Sequence, residues 1–107
     1  MSETLIKIQS LIQRGIFRVS EHGYNELSND GLLAGEVLAG IDNAVVIEDY
    51  PSYTKGPCVL VLQKDAGGLP IHVVWGIPAG KSEPAVLVTA YRPDPVRWDA
   101  RFLRRRS

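Results

Sequence analysis

Cysteine and histidine are scarce in this chain: one Cys and two His among 107 residues. A single cysteine excludes an internal disulfide framework and any four-cysteine zinc site. Two histidines with one nearby carboxylate form no metal-ligand spacing, so neither a metal nor a cofactor is expected. A glycine-rich phosphate loop and a dinucleotide glycine pattern are also missing. No apolar run approaches the ~20 residues that span a bilayer. The stretch Leu5-Ile6-Lys7-Ile8-Gln9 is interrupted by polar residues and lacks the small-residue cleavage site of a secretory leader. The expectation is a single domain, residues 1–107, in a reducing cytoplasm and with no membrane partner.

What is present is ordinary in amount and uneven in placement. Apolar residues make up 45% and charged residues 22%, as in a soluble globular domain. Formal net charge is zero. Residues 1–91 hold six Lys or Arg against ten acids, a balance of −4, whereas residues 92–107 hold six Arg against two acids, a balance of +4. Such a basic end can hold phosphates of a nucleic acid, pair with the acidic body, or stand solvated.

Hydrophobic spacing predicts helices first and strands second. Leu5, Ile8, Leu11 and Ile12 fall on one helical face over residues 3–14, with Gly15 placed to end the helix. A short extended segment, 16–19, leads to Ser20, a candidate N-cap for a second helix over 21–28. Gly23 weakens that helix by about 1 kcal/mol relative to Ala. A third helix is expected over 32–41, where Gly35 and Gly40 point to close packing or an early end. Four strands follow, at 44–50, 57–64, 70–77 and 85–92, separated by turns too short for crossover helices. The predicted architecture is α+β, with N-terminal helices on one face of a four-stranded antiparallel sheet. Its core spans 16–98, followed by a basic tail at 99–107. Cys58, in Cys58-Val59-Leu60-Val61-Leu62, reads as a small buried hydrophobe.

Strand alternation gives His72 neighbours. Ile71, Val73, Trp75 and Ile77 share one face of the third strand, and His72, Val74 and Gly76 share the other. In the fourth strand, Val86, Val88 and Ala90 are expected to meet the helices, while Leu87, Thr89 and Tyr91 face away. That sets His72, Thr89 and Tyr91 on one open face within cross-strand reach. Arg92 alternates to the opposite side and joins them only if the strand ends or bulges before Pro93. His22 falls in the first turn of the second helix, where free backbone N–H groups favour a neutral imidazole. Glu26, four residues on, can orient it or act as a base.

Ser20-Glu21-His22-Gly23, Leu38-Ala39-Gly40-Ile41, Val45 to Pro51, Pro70-Ile71-His72-Val73-Val74-Trp75, and Val88-Thr89-Ala90-Tyr91-Arg92-Pro93-Asp94 with Trp98 occur in this order. Together they resemble a small bacterial family of domains of unknown function, numbered 4258, over about residues 16–98. The resemblance implies a fold similar to RelE/ParE-type toxins and the wider barnase–colicin–RelE group. It also implies a toxin of a toxin–antitoxin module, encoded beside a small antitoxin. His22, His72, Thr89, Tyr91 and Arg92 match the family's recurring polar positions.

By that analogy the chain is expected to be a metal-independent endoribonuclease acting on RNA, free or on the ribosome. The 2′-hydroxyl attacks its own phosphodiester and one histidine takes the proton. His72 or Tyr91 then protonates the leaving 5′-oxygen. Arg92 stabilises phosphoryl charge. Glu26, Thr89, Arg97 and Arg101 bind the substrate. Two alternatives stand beside it: a non-catalytic toxin that blocks a macromolecular target such as a topoisomerase, and a small interaction protein whose histidines are structural.

Overall fold

The computed structural model describes residues 2–106. Helix α1 (Glu3–Gln13) starts on Ser2, whose hydroxyl accepts the Leu5 N–H at 3.1 Å. It ends where Gly15 takes φ 76°, which leaves the Gly15 and Ile16 N–H groups free to close on the Ile12 and Leu11 carbonyls. Strand β1 (Phe17–Val19) leads into α2 (Glu21–Asn29), α3 (Ala34–Ala39) and a single 3-10 turn at Ile41–Asn43. Strands β2 (Val45–Tyr50), β3 (Cys58–Lys64), β4 (Pro70–Gly76) and β5 (Ala85–Tyr91) complete the order.

The α+β class stands, but the sheet is larger than alternation alone predicts. It has five strands in the order β1-β5-β4-β3-β2. The last four form the expected antiparallel meander, and β1 adds to β5 in parallel, with Phe17, Arg18 and Val19 opposite Ala85, Val86 and Leu87. Three residues carry too little period to announce a strand; the free edge of β5 recruits them.

A second correction concerns β5. Val74 pairs with Thr89, yet Trp75 pairs with Leu87, so Val88 is an extra residue in the ladder. This bulge switches the facing of everything before it. Ala85 and Leu87 join Ala90 in the core, and Val86 and Val88 look out. Thr89 and Tyr91, beyond the bulge, keep the facing that alternation predicts.

The core lies between the helices and one sheet face. Ile8, Leu11, Leu27 and Val37 pack on Val59, Val61, Ile71, Val73 and Trp75. Gln63 is buried in it and fully used: its amide donates to the Val37 carbonyl at 2.7 Å and its oxygen accepts the Trp75 indole N–H at 2.9 Å. One side chain thereby ties α3, β3 and β4 together.

Helix α2 is fixed to the bulge. Ser20 caps it, its hydroxyl oxygen accepting the Gly23 N–H at 2.9 Å while its O–H donates to the Val88 carbonyl at 3.0 Å. Gly23 rests directly on β5, so that a β-carbon there would stand 2.7 Å from the Leu87 carbonyl oxygen. The helix tolerates a poor helix former because the strand leaves no room for a better one. Gly23→Ala therefore gains about 1 kcal/mol of intrinsic helix propensity and loses about 1–3 kcal/mol to overpacking. The expected net result is a lowered urea midpoint; a raised midpoint would show that α2 moves off β5 without cost.

Candidate functional site

The sheet face turned away from the helices carries His72, Val74, Thr89 and Tyr91, as β4 and β5 register requires. It is not open at the His72 end. The Arg-rich C-terminal segment, expected as a tail, folds back onto it as a small hairpin. Trp98 and Arg105 pair across it, with the Asp99 N–H donating to the Arg104 carbonyl and the Arg106 N–H to the Arg97 carbonyl, both at 2.8 Å. The Asp99 carboxylate shapes the turn by accepting the N–H groups of Arg101 and Leu103, each at 3.1 Å. Phe102 takes a left-handed φ of 59° there, which points its carbonyl at the sheet.

His72 receives that carbonyl. Its Nε2 lies 2.8 Å from the Phe102 oxygen, so Nε2 carries the proton and donates. In the neutral ring Nδ1 then accepts from the Tyr91 hydroxyl, at 3.3 Å. Trp98 packs edge-on against the imidazole, with ring centroids 4.4 Å apart. The side chain is 0% exposed. Burial pushes its pKa below the ordinary value, and the nearby Arg105 charge adds to this; the bond to Phe102 works the other way without cancelling it.

Tyr91 is half-buried beside His72, and burial pushes its phenol pKa up. It lines a cleft of about 670 Å³ with Arg92, Arg97, Trp98, Arg105 and Arg106. Among the described residues Asp94 is the one acidic side chain on that lining. The arginines are held in place. Arg105 lies 4.9 Å over the Trp98 ring and is paired with Glu48 of β2. The Arg106 Nε–H donates to the Pro95 carbonyl at 3.2 Å. Arg92 reaches Asp65 at 3.0 Å, and its backbone N–H donates to Asp30 at 3.0 Å. The Leu69 N–H, followed by Arg92 and the Gly67 N–H, holds the Asp65 carboxyl below its usual range against the effect of burial. Arg97 is the loosest, 83% exposed and 4.0 Å from Asp94.

The sequence-predicted residues thus divide. His72, Tyr91, Arg92 and Arg97 meet around the hairpin. Thr89 shares their face, one register step toward the bulge, opposite Val74. Arg101 sits exposed at the hairpin turn, outside the cleft lining. His22 and Glu26 do not join the others. They stand on α2, on the helix side of the sheet, with His22 68% exposed and 3.9 Å from Glu26. A shared two-histidine site is therefore excluded: one imidazole is sealed under the hairpin and the other faces solvent beyond the opposite layer. Among the described residues no three His, Cys, Asp or Glu side chains gather at metal-binding range. Glu48, the Phe102 carbonyl and the contact of Trp98 with His72 escape sequence reasoning, and Arg105 and Arg106 are reached there only as members of the basic tail. The available signal is the pair Trp98 and Asp99, an aromatic beside a turn former inside the arginine run.

Depressed basicity at His72 has a defined consequence for stability. The unfolded chain takes up a proton at this ring near pH 6.5, whereas the folded chain does so only at lower pH. Stability from this group is therefore full above about 6.5 and falls as pH drops through the folded value. In urea titrations from pH 7.5 to 5, the wild type is expected to lose stability more steeply than His72→Gln. Parallel slopes would refute the neutral clamp.

No curated protein and no solved structure matches the chain. The family described as "Domain of unknown function (DUF4258)" matches residues 19–92, from the end of β1 to Arg92. The match takes in α2, the whole meander and the His72–Tyr91 pair, and stops short of the hairpin that covers them. With most of its length inside that match, the chain belongs to the DUF4258 family.

Proposed function

We propose that this protein is an RNA-binding toxin with a RelE/ParE-like arrangement, acting through the arginine cleft beside Tyr91 and accompanied by a small antitoxin. The observation that carries the reading is the convergence of Arg92, Arg97, Arg105 and Arg106 on one concave surface, where Asp94 is the one acidic side chain among the described lining residues and Asp65 and Glu48 pair with Arg92 and Arg105 from outside the lining. A chain of zero net charge has concentrated its cations there. Arg92 and Arg105, fixed by Asp65 and Glu48, lose little freedom on meeting phosphate, and guanidinium groups bind phosphate oxygens in a planar, two-pronged fashion. Half-buried Tyr91, its proton given to His72, adds a ring edge and a hydroxyl oxygen that can accept a hydrogen bond from the nucleotide.

Cleavage is the second reading, and Tyr91 is the observation that favours it. The two-histidine scheme no longer applies, since His72 has both nitrogens engaged and His22 lies elsewhere. Tyr91 keeps its proton at neutral pH as any phenol does; to pass it to the leaving 5′-oxygen as the P–O5′ bond breaks it would give up its bond to His72, the 2′-hydroxyl proton going to solvent water. Arg92 and Arg97 would then hold the phosphoryl oxygens, with His72 positioning the phenol rather than reacting.

Binding to a fluorescent single-stranded RNA should weaken with salt. The log–log slope should fall by about 1.4 in Arg97→Ala/Arg106→Ala, at ~0.7 for each phosphate no longer neutralised. An unchanged slope would remove the cleft from consideration.

Incubation with RNA in EDTA separates the two readings. Intact RNA under conditions of full binding is the outcome expected for a binding toxin. Cleavage abolished by Tyr91→Phe and retained in His22→Ala would establish the second reading. Cleavage that depends on His22 would overturn both.

A further inference from the structure

The outward sheet face has a second end, beyond the hairpin, where β3, β4 and β5 approach the β2–β3 loop. A groove of about 440 Å³ runs there. Its floor is apolar: Cys58, Val74, Gly76, Val86 and Val88. Two causes flatten and widen it. The bulge turns both Val86 and Val88 outward, so apolar side chains that simple alternation assigns to the core face the groove, Val88 exposed and Val86 largely covered. Gly76 lacks a β-carbon in the middle of the floor, where one would sit 3.6 Å from Cys58 Cβ and 3.6 Å from Val88 Cγ2, in ordinary contact.

The wall is rigid. The Ile77 N–H donates to the Pro57 carbonyl at 3.0 Å and the Ala79 N–H to the Lys55 carbonyl at 3.1 Å, so the 51–57 loop is laced to the end of β4. Gly56 makes the approach possible with φ 118°; a β-carbon there would stand 2.0 Å from the Ile77 oxygen. The rim bears Tyr53, Lys55 and, from β1, Arg18. No Asp or Glu lines the groove, and among the described residues neither Arg18 nor Lys55 takes part in an ion pair. In a body that carries an excess of acids, two cations have been set at the mouth of an apolar trough.

The geometry points to a docking site for an acidic, extended segment of a partner protein, which seats an apolar side chain against Gly76, Val86 and Val88 and sets carboxylates against Arg18 and Lys55. Apolar burial supplies the affinity and the two cations select sign and register. An open trough of this shape covers one side of its occupant. A chain that continues past both ends fits it better than a small molecule, which needs enclosure on most sides. The assignment does not rest on RNA binding, because the groove and the arginine cleft share no lining residue.

The chain carries its own reporter, because Cys58, its one cysteine, lines the floor. Burial raises the thiol pKa, with the Asp49 charge adding to it, so labelling is followed at pH 8.5. The probe is a fluorescein-labelled ten-residue peptide of alternating Glu and Leu, compared with Lys/Leu and Glu/Ser versions. The Glu/Leu peptide is expected to bind by anisotropy and to slow maleimide labelling of Cys58 at least fivefold. Its affinity should fall tenfold or more in Arg18→Glu/Lys55→Glu, which should gain affinity for the Lys/Leu peptide. Val88→Glu, at a surface position, should weaken Glu/Leu binding without touching the core, and Gly76→Val should block it by filling the floor. Arg97→Ala/Arg106→Ala should leave it unchanged. Equal binding of the Glu/Leu and Lys/Leu peptides, binding that leaves Cys58 unprotected, or binding abolished in the Arg97/Arg106 variant would overturn the assignment.

Discussion

The Phe102 carbonyl and the His72 imidazole depend on each other, and the arginine-lined end of the outward sheet face depends on both. A backbone carbonyl driven onto an apolar sheet needs a donor, and His72 supplies one from the middle of β4. The imidazole in turn needs its own donor and acceptor positions filled if it is to be buried neutral, and the hairpin and Tyr91 fill them. Replacing His72 by an apolar residue leaves the Phe102 carbonyl without its donor. Removing the hairpin exposes the ring and takes the Trp98 contact away with it. The arginine cleft requires the hairpin to lie on the sheet, since Arg97, Arg105 and Arg106 come from the two hairpin arms and Tyr91 from the strand beneath, and this bond, the Trp98 contact and the Arg105–Glu48 pair hold it there.

The second constraint is the bulge at Val88. One extra residue in β5 decides what each end of the outward face presents. Past the bulge, Thr89 and Tyr91 bring polar groups to the hairpin. Before it, Val86 and Val88 leave an apolar trough. On the other side of the sheet the same residue offers its carbonyl to Ser20, which caps α2, and Gly23 lets the helix lie against the Leu87 carbonyl. A single irregularity thus serves helix docking on one face and separates two different surfaces on the other.

Much of this is legible in the sequence, for reasons that can be named. The strands from 45 to 91 announce themselves because turn residues bracket each β-branched run, and α1 because Leu5, Ile8 and Leu11 recur at helical spacing. His72 and Tyr91 fall together because alternation holds locally across their pair. The parallel β1 is hidden because three residues have no period and their partner lies almost seventy positions away. Alternation puts Leu87 and Val88 on the wrong faces because a bulge has no signature in a run of Ala, Val and Leu. The hairpin reads as a tail because its fold depends on a long-range bond to a buried histidine, and the charges around it dominate its composition. Gln63 looks like any surface strand residue until Val37 and Trp75 stand on either side of it.

The histidines themselves illustrate how scarcity misleads. Two proton carriers in a short chain invite a paired acid–base role, and proton chemistry does favour such groups near neutral pH. Burial decides otherwise for His72. A ring with no exposure and both nitrogens engaged is shut off from solvent, so its contribution is to geometry and to pH-dependent stability. His22 has the access that His72 lacks, but its surroundings on α2 supply one loosely placed carboxylate and none of the arginines. Charge, by contrast, has been gathered. Six arginines follow Tyr91, and four of them reach the cleft, three by way of the hairpin. Forming that hairpin costs backbone entropy that an unstructured basic tail would not lose. The order is maintained by Trp98, Asp99 and His72. That cost is consistent with a surface that must present guanidinium groups in fixed positions rather than supply diffuse positive charge.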